Sequence, residues 1–407
     1  MGEWNRRSVI VSSAALATGT ALAAAGTSSA KESPATPDAT EPSGWSSHGG
    51  TIGNCRSVPS SDGFRRPNGV AWRYDRSGPA AVVEDAVYLQ TDGEVHSLAA
   101  SDGSRRCIAD GIDASGTPAV SGDRVYVAGE AVAALEADTG DVRWSESLGG
   151  AESVSSPVVA LGAVYVSADG VLRAFDAHTG DLRWERETVD VRLDADGRPG
   201  EVAYGFHSSD GTVAVADGTV WAVLDGARSE SGIDVDAVVA LDPATGRTLR
   251  TTRLPSGRAA NGLAATEDAL FVETPGEEGI VVLDPASGAV VDTVSDALHS
   301  AAVGDIAVTH GRHTLSSTGA DAPWNDREAH AYGKPTIVGD VVVVAHSRGD
   351  RTSADELVGF DLEDGAERWR FAFDDRHWSD GFPIDAIVDG ETVYVDRGGE
   401  LTAVRSS

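Results

Sequence analysis

One short phrase recurs along this chain and narrows the folds open to it more than any other feature. It reads Ala174-Phe175-Asp176 at the end of an apolar stretch, then Thr179-Gly180, then Trp184. Ala134-Leu135-Glu136 through Thr139-Gly140 to Trp144 is a second copy, and Gly359-Phe360-Asp361 through Asp364-Gly365 to Trp369 a third. Ala240-Leu241-Asp242 with Thr245-Gly246, and Val282-Leu283-Asp284 with Ser287-Gly288, keep the turn and lose the tryptophan. A unit repeated every few dozen residues dictates an architecture of like pieces, each burying its apolar faces against its neighbours.

Each unit carries a β-branched and aromatic strand. These are Val87-Tyr88-Leu89, Val125-Tyr126-Val127, Val164-Tyr165-Val166, Val220-Trp221-Ala222, Leu270-Phe271-Val272, Ile306-Ala307-Val308, Val341-Val342-Val343 and Val393-Tyr394-Val395. Turn pairs such as Gly122-Asp123, Gly339-Asp340 and Asp389-Gly390 precede them, as tight hairpins require. In the recurring phrase the Asp accepts hydrogen bonds from the turn backbone and the Gly supplies a positive φ. The tryptophan then falls on a fourth strand and docks on a neighbouring sheet. Four short antiparallel strands repeated radially make an all-β, eight-bladed β-propeller.

The last unit stops at Leu401-Thr402-Ala403-Val404 with three strands, and Gly69 to Asp75 around Trp72 supplies the missing one. That closure removes an open edge. Cys107, Arg250 and Asp292 replace the docking tryptophan in three units. The sixth has only Thr318-Gly319, with Trp324 one residue late, so seven blades plus an irregular segment is the alternative.

The chain has 407 residues and a formal net charge of -32, with Lys31 and Lys334 its only lysines. That balance opposes nucleic acid and anionic lipid as partners, and an acidic, lysine-poor surface fits a protein working in high salt. Residues 1–30 read as an export signal: Arg6-Arg7 precede a weakly apolar run from Val9 to Ala25, with small residues at Ala23-Ala24-Ala25 and Ser28-Ser29-Ala30. The run is shorter than the ~20 apolar residues of a spanning helix, so no integral membrane segment is expected after cleavage. Residues 31–68 read as a flexible lead and N-terminal extension, and 69–407 as the propeller. The route is export to the cell surface or beyond, by the twin-arginine pathway.

The docking phrases at Trp144, Trp184 and Trp369, with Trp72 at the closure, resemble the repeat of eight-bladed PQQ-type (pyrroloquinoline-quinone) propellers, whose relatives include the outer-membrane assembly factor BamB; the composition suggests a haloarchaeal secreted member. Resemblance to the dehydrogenases of that group implies a quinone, a central calcium, a catalytic Asp and often a pair of adjacent cysteines. Cys55 and Cys107 are the only cysteines and lie far apart, which argues against PQQ and calcium. In an exported protein they suggest a disulfide pinning the lead to the first blade.

No catalytic residues, cofactor or metal ligands are assigned. His310 and His313 lack companions for a zinc site, and Asp190, Asp194 and Asp196 lack the full series of a calcium loop. Residues just ahead of each inner strand should rim the channel mouth: Ser156, His207, Asn261, His299, Lys334 and Asp380. The inserted loops at Glu187 to Tyr204, Asp225 to Asp236 and Ser347 to Glu356 offer contact surfaces. The expected function is a non-catalytic, exported propeller that binds an envelope or extracellular protein, or acts as a scaffold for one. The alternative is a quinone-dependent dehydrogenase or a polysaccharide-acting enzyme working at the channel mouth.

Overall fold

The computed structural model describes residues 44–60, 64–195, 198–226, 236–255, 260–274, 279–311, 313–319, 323–326, 330–348, 354–374, 385–397 and 399–406. All belong to one compact unit, residues 39–407; a second unit, residues 1–38, lies outside the described residues and takes the expected signal with it. Among the described residues every regular element is a strand, and none is a helix that could cross a membrane.

The strands form eight antiparallel blades, each with four strands here lettered a (inner) to d (outer). Blade 1 runs from Ala80–Val83 to Arg105–Ala109, blade 2 from Ala114–Ser121 to Val142–Ser147, blade 3 from Val158–Ala160 to Leu182–Arg186, and blade 4 from Val213–Ala216 to Thr248–Arg253. Blade 5 runs from Gly262–Ala265 to Val290–Val294, blade 6 from His299–Val303 to Asn325–Asp326, and blade 7 from Thr336–Val338 to Glu367–Ala372. Blade 8 takes three strands, Ala386–Asp389, Thr392–Arg397 and Glu400–Arg405, and closes with Gly69–Tyr74, where Trp72 pairs with Ala403. The sixth unit is therefore a true blade, and eight is the number. A hairpin of Val189–Ala195 and Arg198–Phe206 extends blade 4 through Gly205 and Phe206.

The burial pattern follows from radial stacking. Middle strands lie between two neighbouring blades, so both faces are covered and strand b reads as an unbroken apolar run; all six residues of Ala163–Ala168 are buried. An outer strand has a neighbour on one side only, and in Val142–Ser147 the single buried residue is Trp144.

That one buried position does the docking. Trp184 Nε1 donates to the Pro243 carbonyl of the next blade (2.9 Å), Trp144 to Ala177 (3.1 Å), Trp72 to Ala100 (2.9 Å) and Trp324 to Leu362 (3.0 Å). Each acceptor stands three residues before the turn glycine on which the indole lies. Gly180 shows why glycine is needed: its φ is +82°, and a Cβ there would come within 2.8 Å of the Trp144 ring. Arg250, without an indole, donates to the Pro285 carbonyl at the equivalent place. Cys107 lies against Gly140, and Asp292 makes no such reach, bonding instead to the Thr293 amide (2.7 Å).

Trp369 is the exception among the tryptophans. Its indole nitrogen has no hydrogen-bond partner among the described residues. The physical reason is closure: strands c and d of blade 8 come from opposite ends of the fold, so no covalent c–d turn exists to receive it. Phe64 fills the space instead, its ring centroid 5.7 Å from that of Trp369.

Part of the segment expected to be a lead and N-terminal extension is internal structure. Residues 45–58 run inside the channel and accept hydrogen bonds from the inner strands in turn. Val82 of blade 1 donates to Trp45 (2.7 Å), Val120 of blade 2 to Ser46 (2.8 Å), and Val215 of blade 4 to Ile52 (2.8 Å). Ala265 of blade 5 donates to Gly53 (2.8 Å), Ala302 of blade 6 to Cys55 (2.7 Å), and Ile337 of blade 7 to Arg56 (2.9 Å). Inner strands would otherwise present a bare edge to the channel. The strap covers it.

This path also corrects the expected disulfide. Cys55 and Cys107 are both thiols. Cys55 does not pass outside blade 8 toward blade 1; it sits in the channel, its Sγ donating to Ala265 of blade 5 (3.1 Å), whereas Cys107 lies on the outer strand of blade 1.

Docking by hydrogen bond and by burial can be separated. Trp184→Ala is expected to lower the unfolding free energy by about 3–5 kcal/mol, read from denaturant midpoints in high salt. Trp369→Ala should cost about 1 kcal/mol less, because no docking hydrogen bond is lost. Equal losses would contradict the docking account.

Candidate functional site at the channel mouth

Antiparallel blades put the d–a connections and b–c turns on one face of the disc, and the a–b and c–d turns on the other. The strap enters and leaves by the a–b face. Gly44 lies beside Asp389 in the a–b turn of blade 8, and Val58 accepts from Gly339 in that of blade 7 (3.1 Å). Its central residues rise toward the opposite face and floor a basin there.

The basin has two adjoining halves of about 320 and 470 Å³ that share His48, Gly49, Arg56, Asp210 and Lys334. Arg56 is fixed: Nε donates to Pro335 O (2.9 Å), Nη2 to Ala386 O (3.1 Å), and its guanidinium stands 5.1 Å from the Trp45 ring centroid. It is thus a tie between strap and blades 7 and 8. Lys334 Nζ lies 3.6 Å from Asp385 Oδ2. Burial pushes the Asp385 carboxyl up, but the charges of Lys334 and Arg56 outweigh it and hold it below the ordinary value.

On the far side, Glu273 from strand b of blade 5 meets His299 from strand a of blade 6. Glu273 Oε2 contacts His299 Nδ1 at 2.8 Å, and Oε1 accepts from the Ser300 amide at 3.0 Å. Burial would raise the Glu273 carboxyl; the hydrogen bond and charge of His299 bring it below its usual range. Behind them His310 stacks on His299 with centroids 5.4 Å apart.

The expected rim residues divide. Asn261, His299 and Lys334 line the basin. Ser156 is buried just below, donating from N and Oγ to Asp210 Oδ1 (both 2.6 Å) and receiving the Thr117 amide (2.7 Å). His207 turns aside to Ser209 Oγ (2.9 Å) and does not line the basin. Asp380 and Asp196 lie outside the described residues, as do the centres of the loops after Asp225 and Ser347. The sequence reading passed over His48, Arg56, Asp210, Glu273 and Asp385. Glu273 left one trace, a lone carboxylate closing the apolar run Leu270-Phe271-Val272; the strap left Trp45 and Ile52 in a segment otherwise poor in apolar residues. Among the described residues no group of three or more His, Cys, Asp or Glu side chains is placed to hold a metal ion, and the two thiols stand apart.

A closed ring of eight four-stranded blades, five of its seams fastened by the docking contact and its last blade shared between the two ends of the fold, defines a PQQ-type propeller. The chain belongs to the family described as outer membrane protein assembly factor BamB, which matches residues 91–226 and 200–407. Among solved structures it is similar to a quinohemoprotein alcohol dehydrogenase from Pseudomonas putida HK5, with 14% identity, 90% of this chain and 80% of that chain covered, and a TM-score of 0.65. The quinohemoprotein alcohol dehydrogenase from Comamonas testosteroni gives 14% identity, 90% and 81% coverage, and a TM-score of 0.63. BamB from Moraxella catarrhalis gives 18% identity, 82% and 85% coverage, and a TM-score of 0.45. At these identities the structural likeness establishes the fold alone. No curated protein sequence matches the chain.

His310 provides a test of the buried wall behind the basin. Burial, and next the neighbouring His299, bring its pKa down from 6.5 to about 4, so it is neutral in the fold at neutral pH. As pH falls from 6.5 to about 4 the unfolded chain gains a proton that the folded one refuses. Stability should therefore drop across that window by up to about 3 kcal/mol. Denaturant midpoints at pH 7.5 and 4.5 should converge in His310→Gln relative to the parent; an unchanged pH dependence would sink the assignment.

Proposed function

We propose that this chain is a non-catalytic, exported propeller, adapted to high salt, that binds an envelope protein or acts as a scaffold for one at the cell surface. Membership of the BamB family supports a partner-binding role, since the family's own description is of an assembly factor. The observation that carries the reading is the outer edge of blade 5.

Outer strands of four other blades, 1, 2, 3 and 7, are guarded. A register shift just before the docking position turns one residue outward. In four blades that residue is an arginine held by a carboxylate: Arg106 by Asp85 (2.6 Å), Arg183 by Asp176 (2.8 Å), Arg368 by Asp361 (2.6 Å), and Arg143 by Glu136. Charged edges discourage pairing with other strands. Blade 5 has Val291 there, 60% exposed, beside Val290 at 43%, and its strand Val290–Val294 contains no basic residue. Leu249, at the same position of blade 4, is exposed as well. An extended, apolar segment with basic flanks suits this edge: it would pair with the open strand, cover the valines and complement an acidic surface.

The test is Val291→Lys. A photo-reactive residue placed at position 294 should cross-link one envelope protein in intact cells, and Val291→Lys should cut that product about tenfold or more. Undiminished cross-linking, or none at all, would count against the proposal. A quinone-dependent enzyme would instead reveal itself by dye reduction on adding quinone and calcium.

A further inference from the structure

The His299–Glu273 pair has the form of a recognition group rather than of a structural tie. Glu273 is itself anchored through Ser300, and the fold makes room for it: a Cβ on Gly262 would come within 2.5 Å of Glu273 Oε2. The carboxylate, held ionised, can only accept, so it fixes the proton of His299 on Nδ1. That leaves Nε2 on the opposite side of the ring, on a residue that lines the larger half of the basin; with the imidazole neutral, that nitrogen accepts. His310, stacked behind and neutral, prevents the ring from swinging inward. The side chains of two blades are thus used to hold one acceptor at a fixed place over an open hollow.

The surroundings decide what that acceptor meets. Asn261 is exposed on the same wall and offers both a donor and an acceptor. Lys334 stands across from it with donors, and Ser209 adds a hydroxyl. Leu263 and Ala264 are the only aliphatic side chains lining this half, and both are almost fully buried. A hollow of about 470 Å³ has the size of a small-ligand site. Its groups ask for a compact ligand presenting hydroxyl donors and acceptors together. An apolar peptide finds little wall to lie on, and the net charge of -32 opposes polyanions.

We propose that this half of the basin binds a neutral carbohydrate unit, with His299 Nε2 accepting from one ligand hydroxyl, Asn261 bonding to a neighbouring one, and Glu273 acting as the positioning residue for His299. The proposal is independent of the blade 5 edge, which lies on the outer rim of the disc.

The experiment is calorimetric titration of the full chain in high salt with glucose, N-acetylglucosamine, maltose and cellobiose, and with tetraserine as a peptide control. Saturable binding of at least one sugar is expected, weakened about tenfold in Asn261→Ala and in His299→Ala, the scale of one lost hydrogen bond in a closed site. Asn261 is exposed, so its variant tests the site without threatening the fold. In parallel, ¹⁵N shifts of labelled histidine should show His299 as the Nδ1–H tautomer, with Nε2 shifting on sugar binding, and Glu273→Gln should lose that tautomer preference. Binding of tetraserine alone, no saturable sugar binding, or sugar binding that either alanine variant leaves unchanged would overturn the proposal.

Discussion

Five of the eight seams between consecutive blades are fastened by the same contact, on which the regular spacing of the ring depends: a donor on one outer strand reaching a carbonyl in the next blade's c–d turn. The turn is shaped to receive it. Asp176 Oδ1 accepts from the amides of His178 and Thr179 (both 2.9 Å), and Gly180 donates back to the Asp176 carbonyl (2.8 Å). That leaves the Ala177 carbonyl outward and a flat glycine surface beside it. Indole satisfies both needs, with a ring for the glycine and an N–H for the carbonyl. Arg250 meets the second need alone. The seam after blade 5, where Asp292 meets neither, is held by strand packing such as Ala302 and Ala307 against Phe271.

The strap supplies from the middle what docking supplies from the rim. Its carbonyls meet inner-strand amides of six blades, and its side chains reach further: Asn54 Nδ2 donates to Val213 (2.7 Å) and Leu263 (3.2 Å), tying blades 4 and 5. Asn54 and Arg56 hold φ values of 56° and 47°, a strained choice for residues with side chains. The strain is tolerated because each side chain is over-determined by its bonds. The same residues floor the basin, so the site and the core share atoms.

The architecture was legible because the docking phrase is local: Asp, Gly and Trp within nine residues specify a turn, a strand and the direction of the next blade. Trp72 was equally readable, since a tryptophan strand without a blade and a blade without one match each other. Trp324 looked misplaced only because spacing was counted from Gly319; the structure shows that its indole reaches Leu362 all the same. The strap was not legible. Its hydrogen bonds are made by backbone carbonyls, which carry no residue signature, and it follows directly on the tether-like stretch from Lys31 to Gly44. The basin was half legible for a related reason. Rim positions follow from repeat phase, which placed Asn261, His299 and Lys334. Glu273 and Asp385 depend on how two blades lean together, and no single unit encodes that.

Closing the ring with Gly69–Tyr74 against Glu400–Arg405 has a kinetic consequence. The pairing of Trp72 with Ala403 spans nearly the whole propeller, so it forms only after almost every residue of the disc has left the ribosome. Until then the growing chain carries two unpaired strand edges and a half-built channel around the strap. Long-range pairings of this kind fold slowly and leave intermediates exposed. The guarded arginines on the outer strands therefore protect the unfinished disc as well as the finished one, and the unguarded edges of blades 4 and 5 are left open to a neighbour.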